Sequence, residues 1–208
     1  MLTLYDGPAR VELSGTTVEN WVCKTANLLV DGHGRPDRVG VLMGLHWQAV
    51  CFLLGAAAAG ATVVVASTPE HLTGCQVAFT DGDRAEAALD AGVDEVLASA
   101  LHPLGARLPV VPPLVLDVAV EVPGYGDRFG GPYPSPARVE LDGVPFLTPD
   151  LGLGAQDRVL TTAPLDAPGG LGAVLAALRS GAGLVLVRGE ADLDAVAAAE
   201  RVTRVLTG

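Results

Sequence analysis

Residues 37–66 read DRVGVLMGLHWQAVCFLLGAAAAGATVVVA, and residues 157–188 read DRVLTTAPLDAPGGLGAVLAALRSGAGLVLVR. Each stretch opens on Asp-Arg-Val and a short apolar run, passes through a loop, and enters an alanine- and leucine-rich helix that stops at Gly60 or Gly181. A second apolar run follows at once. The pattern predicts strand, helix and strand, twice. The apolar runs are continuous rather than alternating, as in parallel strands buried on both faces. Such strands are joined by a right-handed crossover through a helix. A glycine at each helix end suits a left-handed cap that other residues adopt at a cost.

From Ala49 to Ala66 the first copy is apolar throughout, close to the roughly 20 residues that a membrane span requires. Two features argue for a buried helix turning into a buried strand instead. Gly55 and Gly60 interrupt the stretch, and Val63, Val64 and Val65 favour a strand. The matching helix of the second copy carries Arg179 and Ser180, so neither copy reads as a membrane span.

Around the two units, Thr16-Thr17-Val18-Glu19 reads as a capping box, with Thr16 starting a helix whose Val18, Trp21, Val22, Thr25, Leu28 and Leu29 share a face. Gly32, Gly34 and Pro36 end it. Gln76 to Thr80 and Glu95 to Ala98 are strand candidates, separated by a short helix capped by Asp83 with Glu86 and ending at Gly92. Asp142-Gly143, between Val139–Leu141 and Val144–Leu147, is the strongest hairpin signal in the chain. An alanine-rich helix over 190–201 and a strand over 203–206 complete the pattern. Prolines punctuate residues 103–136, and the seam between the halves falls there, dividing the chain into 1–125 and 126–208.

The chain has 208 residues, 13 of them lysine or arginine and 24 acidic, for a formal charge of −11. That balance removes the cationic footprint needed for nucleic acid or an anionic membrane surface. Half of the residues are hydrophobic, which excludes a disordered chain. The three cysteines, Cys23, Cys51 and Cys75, lack paired spacing and the N-terminus lacks a basic run before an apolar one, pointing to a reduced, cytoplasmic protein with buried structural thiols. His33, His46, His71 and His102 show no metal-ligand spacing, and no metal or other cofactor is expected.

The order of a capped helix, then GRPDRVGVLMGLHWQAVCFLLGAAAAGATVVVAS, then LGLGAQDRVLTTAPLDAPGGLGAVLAALRSGAGLVLVR, resembles the N-terminal portion of the adenylate-forming enzymes, the acyl-CoA synthetase and AMP-binding superfamily. It is also similar to a group of short actinobacterial proteins of unknown role. The resemblance covers nearly the whole chain, but its matched positions are structural. It implies an α/β fold of two related βαβ-type halves with mostly parallel sheets flanked by helices.

The departures from that family bear on function. The family holds ATP phosphates with a Ser/Thr/Gly-rich loop ending in Pro-Lys. Upstream of Asp157 this chain has only GYGDRFGGPYPSPARVELDG, with Ser135 as its one serine and no lysine. The single lysine, Lys24, lies in the first helix, and the family's downstream acidic motif and C-terminal lysine do not occur before Gly208. Asp166 stands where acyl-activating relatives often carry a histidine lining the acyl pocket.

Some residues remain as candidates for binding. His46 and Trp47 start a helix at a strand end, where α/β sheets place ligands, and equally suit capping and packing. His102 and Tyr125 are loop residues that could line the same seam. Gly124, Gly126, Gly130 and Gly131 read as a flexible loop rather than a phosphate cradle, because no strand precedes them and no helix follows. Arg128 and Arg138 are the cations placed to meet a phosphate, and equally suit solvated loop positions. Together the residues predict a non-catalytic relative of adenylate-forming enzymes that binds a protein partner or a small acyl or nucleotide-like ligand. The alternative is half of a split acyl-adenylating ligase completed by a second chain. Apolar surface left over from such a fold predicts a homodimer.

Overall fold

The computed structural model describes residues 1–131 and 137–207; Ser135 and its neighbouring prolines lie outside the described residues. Both repeat copies form the elements that their patterns predict. The first runs from β3 (Arg38–Leu42) through α2 (Trp47–Ala59) to β4 (Thr62–Val65), and the second from β10 (Arg158–Thr161) through α5 (Pro168–Ser180) to β11 (Gly183–Arg188). Each pair of strands is parallel and adjacent. Gly60 and Gly181 close the helices at φ +96° and +74°. Their caps use the same hydrogen bonds: Ala61 N to Ala56 O at 3.1 Å and Ala182 N to Ala177 O at 3.0 Å.

Two sheets organise the chain. The five-stranded sheet has the order β12-β10-β11-β1-β2, where β1 is Leu2–Asp6, β2 is Ala9–Leu13 and β12 is Arg204–Val205. The seven-stranded sheet has the order β7-β6-β5-β3-β4-β8-β9, with β5 Val77–Asp81, β6 Glu95–Ser99, β7 Val115–Asp117, β8 Val139–Leu141 and β9 Val144–Pro145. The antiparallel pairings are the β1–β2 and β8–β9 hairpins; the others are parallel, so the C-terminal strand ends of each sheet share an edge. Asp142 and Gly143, at φ +52° and +79°, make the β8–β9 turn as their dipeptide predicts. Pairing runs across the seam: β1 and β2 join the sheet of β10 to β12, whereas β8 and β9 extend the sheet that starts at β3.

Helix α2 explains the most apolar part of the sequence. It packs against β3 and β4 of one sheet, β1 of the other, and the helix α1 (Gly15–Asn27). Twelve of its residues are buried, and a helix covered on every side has no polar face to display. Trp21 meets Trp47 edge-on at 5.0 Å, and Phe52 stacks on Phe79 at 4.4 Å. One continuous core therefore joins both sheets through α2. Among the described residues no helix is long and apolar enough to cross a membrane.

Three local details differ from the sequence reading. Ser14, not Thr16, caps α1, its Oγ accepting from Thr17 N at 3.1 Å; a hydroxyl serves wherever extended backbone first turns helical, and that turn comes at Gly15. Asp81, not Asp83, caps the 3-10 turn Gly82–Arg84 that leads into α3 (Ala85–Asp90), because it is the last residue of β5. Beyond the short α4 (Val118–Glu121), helix α6 (Leu193–Glu200) is capped by Asp192 and is shorter than the alanine-rich run around it.

Candidate functional site

Asp6, Asp81, Ser99 and Arg188 are the last residues of β1, β5, β6 and β11, so four parallel strands deliver polar side chains to their C-terminal edges. The two edges meet. Arg188 Nη2 donates to the Leu101 carbonyl at 3.0 Å, just beyond β6, and its guanidinium also pairs with Asp6. Between them lies a cleft of about 730 Å³, whose polar lining includes Asp81, Arg84, Ser99, His102, Arg107 and Arg188.

His46 caps α2, its Nδ1 accepting from Gln48 N at 3.2 Å, so in the neutral ring the proton sits on Nε2. Burial, and then the positive charge of Arg188, push its pKa down to about 3, with Asp6 opposing the shift. The His102 backbone also opposes the shift, and Nε2 meets no hydrogen-bond partner of good geometry among the described residues. Trp47 Nε1 donates to the Pro103 carbonyl at 2.8 Å. His102, which is exposed, accepts from Leu104 N at 3.1 Å. The structure thus brings His46, Trp47 and His102 together around the loop after β6. Both capping and packing account for the first two.

The other sequence candidates do not line this cleft. Tyr125 packs its hydroxyl against Gly32, and its carbonyl accepts from Lys24 Nζ at 2.5 Å. Lys24 also reaches the Pro123 carbonyl at 3.2 Å. Asn27 donates to the carbonyls of Gly126 and Arg128 at 2.9 and 2.8 Å, fixing that segment on α1 while the Arg128 side chain remains exposed. Arg138 donates to the Gly60 carbonyl at 2.7 Å, completing the end of α2. Asp166 is half-buried, and burial raises its pKa; Arg84 opposes that shift, and the charges of Asp142 and Asp81 add to it.

Ser67, His71 and Asp142 gather beyond β4 in the residue types of a hydrolytic triad, but their wiring differs. Ser67 Oγ donates directly to Asp142 Oδ2 at 2.9 Å, Ser67 N donates to Oδ1 at 2.8 Å, and the same His71 nitrogen, Nδ1, meets both the carboxylate at 2.9 Å and Ser67 Oγ at 3.4 Å. The imidazole does not stand between hydroxyl and carboxylate, so the cluster ties β4 to the β8–β9 turn rather than activating Ser67. Among the described residues no group of three or more His, Cys, Asp or Glu side chains could hold a metal ion.

No family model matches the chain. A curated Mycobacterium tuberculosis protein described as a TIGR03089 family protein is 35% identical to it, over 99% of this chain and 90% of that one. The chain belongs to the TIGR03089 family. Its fold is that of the acyl-CoA synthetases: the Brucella canis acyl-CoA synthetase matches 98% of the chain at a TM-score of 0.77 and 17% identity, and the benzoate CoA ligase from Burkholderia xenovorans matches 94% at 0.67 and 18%. The chain spans 43% and 44% of those two proteins.

The sequence reading missed Asp6, Asp81, Arg84, Ser99, Arg107 and Arg188. A signal for four of them was present, since ligands in open α/β sheets gather outside the carboxyl ends of strands. Each apolar run could have been followed to its first polar residue.

Proposed function

We propose that this protein is a non-catalytic relative of the adenylate-forming enzymes that binds a small ligand or a partner chain. The observation that carries this reading is the charge around Asp166. A polyphosphate needs aligned donors and cations, yet Asp166 lies within electrostatic reach of Asp81 and Asp142, with Arg84 as the opposing cation. Two further cations are engaged elsewhere. Lys24 is spent on two backbone carbonyls and Arg138 on the end of α2.

The test is calorimetric titration with MgATP together with carboxylate-dependent pyrophosphate exchange. No saturable nucleotide binding at millimolar concentration and no exchange are expected. Micromolar ATP affinity that is lost in Arg128→Ala or Arg138→Ala overturns the reading.

The second reading, half of a split ligase, draws support from the fraction of the acyl-CoA synthetase fold that the chain spans. Restoration of exchange by an added partner chain would select it. We also propose that the protein is cytoplasmic and forms a two-fold homodimer. Leu104, Val110, Leu114 and Leu147, each more than three-quarters exposed, support self-association. A monomer in sedimentation at micromolar concentration removes the homodimer.

A further inference from the structure

We propose that the cleft at the C-terminal ends of β5, β6 and β11 binds a small organic anion, with a carboxylate or phosphate head on an apolar body. This rests on the reading of the chain as a ligand-binding relative and names the ligand's chemistry. In a chain with 24 acidic and 13 basic residues, Arg84, Arg107 and Arg188 reach one cleft from three separate segments. Gathering like charges is unfavourable unless anions answer them. Arg84 is answered by Asp81 at 2.5 Å and Arg188 by Asp6. Arg107 is exposed and has no ion-pair partner among the described residues, which leaves its planar fork for an incoming oxyanion.

The rest of the cleft selects the body of the ligand. Leu101, Ala106, Leu108 and Pro109 form an apolar wall beside the arginines. A volume of about 730 Å³ falls within the range of roughly 300–1,000 Å³ typical of small-molecule sites. At the inner wall Ser99, 1% exposed, donates to Oε1 of the buried Gln48 at 2.7 Å, which fixes the hydroxyl that the cleft presents. Asp81 and Asp83 in the same lining limit the head to one or two charges and disfavour a polyphosphate.

The test titrates the full chain with octanoate and with phenyl phosphate by calorimetry, and follows the backbone amides of Ser99, Leu101 and Leu108 by NMR. Saturable binding of at least one probe is expected, weakened about tenfold by Arg107→Ala and abolished by Arg107→Glu. The exposed Arg204→Ala, on the edge strand β12 and outside the cleft lining, leaves binding unchanged. Binding of octanoate alone assigns a carboxylate head, and of phenyl phosphate alone a phosphate head. No saturable binding of either probe, or binding that survives Arg107→Glu, overturns the site. Pyrophosphate exchange measured on the same samples separates the two readings. Exchange together with Arg107-dependent binding defeats the non-catalytic reading and leaves the site standing; neither exchange nor binding does the reverse.

Discussion

Arg188 and Leu101 connect the two sheets: the guanidinium at the end of β11 donates at 3.0 Å to a backbone carbonyl just past β6. The same guanidinium pairs with Asp6 and holds that carboxyl below its usual range. Arg188→Ala removes a charge-assisted bond to each sheet and strips Asp6 of its cation. An unfolding loss of about 2 kcal/mol is expected, since bonds to charged groups contribute about 1.5–3 kcal/mol each and this side chain is partly solvated. Thermal unfolding of the variant checks it, and a melting point within about 1 °C of the parent contradicts the linkage.

His46 predicts an acid sensitivity. Its folded pKa of about 3 lies below the ordinary 6.5, so the folded state binds fewer protons than the unfolded one between those values. Stability is therefore full above pH 6.5 and falls as the pH drops toward 3. By pH 4 the loss from this residue is on the order of 3 kcal/mol at about 1.4 kcal/mol per unit. His46→Asn keeps a side chain able to cap α2 and removes the titration. Urea unfolding of the variant at pH 7 and pH 4.5 should show a smaller difference than in the parent.

What the sequence disclosed follows from how local each determinant is. The repeat copies, their glycine caps and the Asp142-Gly143 turn are written in residues adjacent along the chain. The β1–β2 hairpin was not legible in this way. Leu2 to Asp6 is a five-residue strand that pairs with β11, and Ala9 to Leu13 is an edge strand with alternating burial. Strand β7 hid among prolines. The candidate cleft was the least legible part, because Arg84, Arg107 and Arg188 come together only when two sheets meet at their edges. Tyr125 shows the converse. It looked like a loop residue of the seam, and Lys24 and Asn27 hold its segment against α1 instead.

Gly55 records how closely α1 and α2 approach. A Cβ there would lie 2.4 Å from Thr25 Cβ and 2.6 Å from its Cγ2, with the Val22 carbonyl at 3.1 Å. Gly55→Ala gains helix propensity of up to about 1 kcal/mol and loses more by forcing the helices apart, for a net destabilisation of about 2 kcal/mol. Adding Thr25→Ala gives little rescue, because the nearest clashing atom, Cβ, remains. Chemical denaturation of the single and double variants decides this, and a stabilised Gly55→Ala contradicts the packing.

Glu200 ends α6, where the helix dipole disfavours a carboxylate. Burial opposes its ionisation too, yet its pKa is lowered, because Arg10, Tyr5 and Arg158 all donate to it. The network joins β1, β2, β10 and α6 across the five-stranded sheet. Since the folded pKa lies below the ordinary 4.5, the stabilisation is complete above that value and is lost as the pH falls through the folded pKa. Glu200→Gln leaves Arg158, with a side chain only 14% exposed, without its counter-charge. Removing one partner of a buried pair typically costs about 3–5 kcal/mol, and the half-exposed Arg10 can turn to water, which places this variant near the lower end. Glu200→Leu with Arg158→Met removes both charges and should recover much of the loss, because apolar replacement of a buried pair is often close to neutral. A double variant no more stable than Glu200→Gln would show that the carboxylate acts through Tyr5 and Arg10 rather than through Arg158.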